Sequence, residues 1–101
     1  MGKLVRDKIP QIIEASGKKP IIRVLNDVEY LFELDRKLLE EIEEFKASRS
    51  IEELADILEV LFAYVDFYEY NIDELYKVFK EKHNARGGFI NRIFWLGNEE
   101  V

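Results

Sequence analysis

The sequence predicts a single, mainly helical domain, on three observations. Apolar residues recur at helical spacing over two long stretches, each opened by a residue that caps helices well. Glycine and proline are scarce, at five and two, and Pro10, Gly17 and Gly87-Gly88 fall where helices begin or end. The chain is 48% hydrophobic with thirteen aromatic residues in 101, enough for one packed core but not for two.

The elements follow in order. Ile9-Pro10 opens a short helix over residues 10–16, with Ile9, Ile12 and Ile13 on one side and Gly17 as its stop. Residues 18–24, interrupted by Pro20, read as loop or extended chain. Asn26 or Asp27 caps a long helix over about residues 27–47, whose stripe is Leu31, Leu34, Leu38, Ile42 and Phe45. Ser50 opens the next, over about residues 51–69. One of its sides carries Leu54, Ile57, Leu58, Leu61, Phe62 and Val65; another carries Val60, Ala63, Tyr64 and Phe67. A helix apolar on two sides is buried on two sides, and the second is expected to meet another subunit. Asn71 caps a fourth helix that runs to about residue 85 and ends before Gly87-Gly88. Residues 89–96 have β character and are expected to form a short strand or an extended arm, with residues 21–25 as a pairing candidate.

Composition excludes several chemistries. The absence of cysteine removes disulfides, thiolate zinc sites and thiol nucleophiles. A single histidine, His83, leaves little room for nitrogen-rich metal sites or a serine–histidine triad. No apolar run is long enough to span a membrane. The start, Met-Gly-Lys, has no leader pattern, so a cytoplasmic protein is expected. The net charge is −6, yet residues 29–59 alone hold eleven acids against four bases. Such an acidic middle disfavours duplex nucleic acid as partner, because phosphates are repelled unless cations intervene.

That acidic middle has internal order. Glu41 with Glu44, and Glu53 with Asp56, are each spaced i, i+3, which puts the two carboxylates of a pair about 60° apart on one helix face. Glu43 points away from the apolar stripe. Two helices packed antiparallel could gather all four acids around hard divalent cations, and all-oxygen donors indicate Mg²⁺ or Mn²⁺ rather than zinc. The competing explanations are ordinary ones. Glu40 to Glu44 has the form of a solvated face, and Ser50-Ile51-Glu52-Glu53 has the form of a capping box. They leave unexplained why the pairing repeats, and why two acids interrupt an apolar side. Lys82 and Arg86, at i, i+4, could reach phosphate oxygens or simply form a basic face. Arg6 and Lys8 could serve phosphate too, or belong to an exposed arm. His83 reads as exposed, and Tyr64, Phe67, Tyr68 and Tyr70 as core or interface rather than a base-stacking platform.

With these residues together, the sequence resembles the MazG-like nucleoside triphosphate pyrophosphohydrolases, specifically their small phosphoribosyl-ATP pyrophosphohydrolase-like branch. Glu-Glu-x-x-Glu followed by Glu-x-x-Asp appears as Glu40-Glu41-Ile42-Glu43-Glu44 and Glu53-Leu54-Ala55-Asp56. Lys3-Leu4-Val5-Arg6-Asp7-Lys8-Ile9-Pro10 and Arg86-Gly87-Gly88-Phe89 also look like that branch. The resemblance implies an all-α helical bundle over residues 1–101, completed by dimerisation or higher assembly. It implies Mg²⁺-dependent hydrolysis of a nucleoside triphosphate, a non-standard one included, to monophosphate and pyrophosphate. By position, Glu41, Glu44, Glu53 and Asp56 match the metal ligands and Glu40 a further motif acid that positions water or acts as base. Lys82 and Arg86 fall where relatives carry phosphate-contacting bases. Two alternatives remain open: hydrolysis of a phosphoribosyl nucleotide, and a non-catalytic helical dimerisation module.

Overall fold

A computed structural model describes residues 2–100, which contain four helices and no strand. They are α1 (Ile9–Ala15), α2 (Asp27–Ser48), α3 (Ile51–Phe67) and α4 (Ile72–Arg86). The chain divides into two compact units, Met1–Tyr68 with α1 to α3 and Glu69–Val101 with α4.

In the first unit, α1 has proline in its first turn, and the Gly17 N–H donates to the Glu14 carbonyl at 2.9 Å to close it. Gly17 has φ +89°, which a side chain disfavours. The α2 N-terminus is a complete capping box. Asn26 Oδ1 accepts from the Glu29 N–H at 2.9 Å, and the Glu29 carboxylate accepts from the Asn26 N–H at 3.2 Å. Arg23 forks onto the same carboxylate at 3.1 and 2.7 Å. The hydrogen bond from Arg23 and that from Asn26 hold the Glu29 pKa below its ordinary value. At the other end Arg49 turns left-handed, with φ 56°, and its N–H reaches the Phe45 carbonyl. Two residues, Arg49 and Ser50, then reverse the chain into α3.

So short a link makes α2 and α3 antiparallel neighbours, and their partners run in opposite order. Tyr30 meets Phe67 with ring centroids 5.8 Å apart. Tyr64 Oη donates to Asp35 Oδ1 at 2.5 Å. Leu34 and Val60 are the buried apolar residues among those described, at 2% and 6% exposure. The seam therefore uses the Val60–Ala63–Tyr64–Phe67 side of α3. The apolar pattern puts that side against another subunit; burying it on α2 leaves the row Leu54, Leu58 and Leu61 exposed instead.

Tyr64 supplies a test of the seam. Burial, then the Asp35 hydrogen bond and charge, raise its pKa well above the usual tyrosine value. The stability contributed by this bond is therefore complete below the unfolded pKa, about 10, and lost as pH rises beyond it. Tyr64→Phe is expected to lower unfolding free energy by about 1 kcal/mol at pH 8. Urea titrations should show that the deficit narrows as the pH is taken above 10.

The second unit is one helix and its flanks. Asn71 Oδ1 caps α4 by accepting from the Asp73 and Glu74 N–H groups at 2.8 and 3.3 Å. Gly87 closes it, with its N–H on the His83 carbonyl at 2.7 Å. Of the strand or arm expected over residues 89–96, no strand forms, and residues 21–25 form none either. The tail opens instead with a turn joining the Arg92 N–H to the Phe89 carbonyl at 3.0 Å. β propensity without a paired backbone does not make a strand, and a lone two-stranded ribbon is marginal in water. None of the helices is long and apolar enough to cross a membrane.

Candidate metal centre

The antiparallel register decides which acids meet. Ligand oxygens of Glu41 from α2 and of Glu53 and Asp56 from α3 all lie within 4.8 Å of one another. A second group, Glu40, Glu41 and Glu44, meets the same criterion along α2. Glu41 belongs to both and is 5% exposed, while Glu53 and Asp56 are half-buried and Glu40 and Glu44 are exposed. Glu43 stands outside, exposed, with Lys46 at 3.4 Å. The pairs expected from i, i+3 spacing are thus joined across the seam through Glu41.

The capping explanation for Glu53 does not hold. Ser50 makes no side-chain cap, and its hydroxyl lies 3.2 Å from that of Ser48 instead. The Glu53 Oε2 atom is buried without a hydrogen-bond partner, and so is Oε2 of Glu41. Two buried acceptors on neighbouring helices, neither with a hydrogen-bond partner, are costly unless a cation completes them. Their pKa values record the strain. Burial raises that of Glu41, with the neighbouring Glu44 adding to the effect and Lys37 opposing it. Burial likewise raises that of Glu53, and the negative fields of Glu44, Asp56 and Glu41 push it further.

Two bases attend the cluster. Arg6 Nη2 donates to Asp56 Oδ1 at 2.6 Å. Lys37 Nζ lies 3.3 Å from Glu41 Oε1 and 3.5 Å from Glu40 Oε1. Burial works against the charge on Lys37, but its bonds to Glu41 and Glu40 and their fields outweigh that, so its pKa is raised. Lys37 is the residue that pattern reading left without a role. Its signal was present: it sits between Leu34 and Leu38, one turn before Glu41. Lysine preceding glutamate is also the weaker order for a helix-stabilising pair, so local helix stability does not account for it. Arg6, Lys37, Leu34, Glu41, Asp56 and Val60 together line a cleft of about 330 Å³.

Lys8, Lys82 and Arg86 are the other residues expected to contact phosphate. Lys8 is the exposed N-cap residue of α1. Lys82 and Arg86 are exposed on the last turns of α4, in the second unit. His83 is exposed as expected, with its ring 6.0 Å from that of Phe79.

No family model matches the chain, and no solved structure matches it. An uncharacterized protein of Mycolicibacterium smegmatis is similar to it, at 54% identity over 48 residues. The match covers 48% of this chain and 49% of the relative. The chain thus spans about half the length of the curated relative it matches. That relative's description assigns no activity.

The donor set suits a hard divalent cation. It consists of carboxylate oxygens from two helices, and two of its residues, Glu41 and Glu53, carry a buried oxygen without a partner. Glu41, Glu53 and Asp56 are placed to hold such an ion, with Glu44 beside them.

Proposed function

We propose that this chain is a cytoplasmic, Mg²⁺- or Mn²⁺-dependent pyrophosphohydrolase. In this reading it cleaves a nucleoside triphosphate, standard or damaged, to monophosphate and pyrophosphate, as members of the MazG-like family do. The observation that carries the reading is the pair of buried, unbonded carboxylate oxygens on Glu41 and Glu53. The motif spacing to which these residues belong supplies the reaction class.

Glu41, Glu53 and Asp56 hold the cation, and Glu44 extends the set. When bound, a divalent cation neutralises phosphate charge, polarises phosphorus and acidifies water. Glu40, exposed at the rim and joined to Lys37, orients the attacking water or accepts its proton. Lys37 holds one oxygen of the Glu41 carboxylate, which would leave the other for a cation. Arg6 and Lys8 of the first unit contribute positive charge to phosphate oxygens, and Lys82 and Arg86 of the second match bases that relatives direct to phosphate. The exposed leucine row of α3 supports homo-oligomer assembly as part of the same reading.

Incubating the protein with Mg²⁺ and a panel of canonical and modified nucleoside triphosphates, with pyrophosphate release as readout, tests the activity. At least one nucleotide should be cleaved, and Asp56→Asn should reduce kcat by ~100-fold or more, comparable with the loss of other charge-stabilising groups. An intact panel, phosphoribosyl-ATP included, removes the enzyme reading.

A further inference from the structure

The Arg6–Asp56 contact joins a phosphate-type base to a proposed cation ligand. Arg6 lies in the irregular segment before α1, 50 positions from Asp56, so no helical periodicity brings them together. The three acids of the seam triad are answered by two single positive charges, Arg6 on Asp56 and Lys37 on Glu41. Glu53 is left with an unbonded, buried oxygen. Arg6 is thus part of what balances the cluster when no divalent ion is bound.

The two bases differ in how firmly they are held. Lys37 has a side chain 21% exposed and holds Glu40 as well as Glu41. Arg6 is 53% exposed, and its partner Asp56 is 38% exposed. An ion pair so open to solvent is worth only about 0–1 kcal/mol. A divalent cation entering among Glu41, Glu53 and Asp56 repels a guanidinium on the same carboxylate, and Arg6 is the group that can yield. Once released, its planar fork remains beside the cleft, and phosphate is the anion whose geometry it matches.

We infer that Arg6 is an exchange ligand, on Asp56 in the cation-free protein and on substrate phosphate once the cation has taken Asp56. This rests on the cation-site reading and adds a coupling to it. Cation and polyphosphate each favour the same position of Arg6, so each strengthens binding of the other, and reciprocally.

The experiment uses Mn²⁺ alone and then inorganic pyrophosphate, followed by calorimetry and by the Mn²⁺ resonance signal. Arg6→Gln should bind Mn²⁺ about 2–5-fold more tightly than wild type, because a competing charge has gone. In saturating Mn²⁺ the same variant should bind pyrophosphate about tenfold or more weakly, as a charged hydrogen bond is lost. Arg6→Lys should stay near wild type for Mn²⁺ and remain weak for pyrophosphate, since it keeps the charge without the fork. If Arg6 merely anchors the N-terminal segment, Arg6→Gln binds Mn²⁺ equally or less well, and the exchange is overturned. Unchanged pyrophosphate affinity in Arg6→Gln overturns it too. Failure of wild type and variant alike to bind Mn²⁺ removes the cation site itself, and the exchange with it.

Discussion

Adding Mg²⁺ is expected to raise the thermal midpoint of the wild-type protein substantially, and Glu53→Gln is expected to abolish most of that rise. At a concentration one hundred times the dissociation constant, a ligand of the folded state adds about 2.7 kcal/mol. For a chain of this size that corresponds to a shift on the order of 10 °C. The unusual part is the metal-free behaviour. Glu41 and Glu53 have their pKa values raised by burial and by one another's neighbours, so their charged forms oppose folding. Glu53→Gln and Glu41→Gln should therefore melt at a higher temperature than wild type in chelator, and at a lower one in Mg²⁺. An acid that served only as surface charge or cap would give no such crossing.

The sign of the pH dependence follows. A carboxyl whose folded pKa is raised favours the folded state most at a pH below its unfolded value, and that contribution is lost as pH rises through the folded value. In chelator, the advantage of Glu53→Gln over wild type should be largest near neutrality and shrink as the pH is lowered toward 4.5, the ordinary glutamate value. Taking the difference between the two proteins cancels pairs such as Arg23–Glu29, whose stabilisation runs in the opposite direction. Differential scanning calorimetry across that range reads both quantities. A difference that is flat with pH would show that Glu53 is not held at cost.

The second large effect concerns assembly. Leu54, Leu58 and Leu61 form a row along α3 at 49%, 47% and 42% exposure, while few residues of the first unit reach full burial. Burying a leucine fully contributes about 1.5–3 kcal/mol, and a two-fold interface uses each position twice. Replacing Leu58 and Leu61 with Glu should weaken self-association by at least ~10³-fold. Sedimentation equilibrium should show an oligomer for wild type and a monomer for the double variant at micromolar concentration. A wild type that stays monomeric throughout the accessible range ends the oligomer proposal.

The helices were largely legible because their signals are local. Asn26 with Glu29 at the start of α2, and Asn71 before α4, identify ends through bonds made within four residues. The α3 capping box was the misleading one: Ser50-x-x-Glu53 has the right letters, yet Glu53 faces the seam rather than the helix N-terminus. For the tail, β character left a strand and an arm both open, and no strand forms there.

The acidic pairs divide along the same line. Spacing alone placed Glu41 with Glu44 and Glu53 with Asp56, and turned Glu43 outward, because position around one helix axis follows from position in the chain. Position around the axis also puts Glu41 beside the apolar stripe of α2 and Glu44 just beyond it, as their burial has it. Glu41 is buried because α2 and α3 cross-match Leu34 and Val60, and that choice of side on α3 exposed the leucine row expected to be inside. No period connects Arg6 to Asp56 or predicts that Lys37 steadies Glu41. Chain order by itself determined the helices, their caps and the faces that carry the carboxylates. The packing of one face on another decided which oxygens are buried together and which bases answer them, because those distances depend on register between segments that no local rule relates.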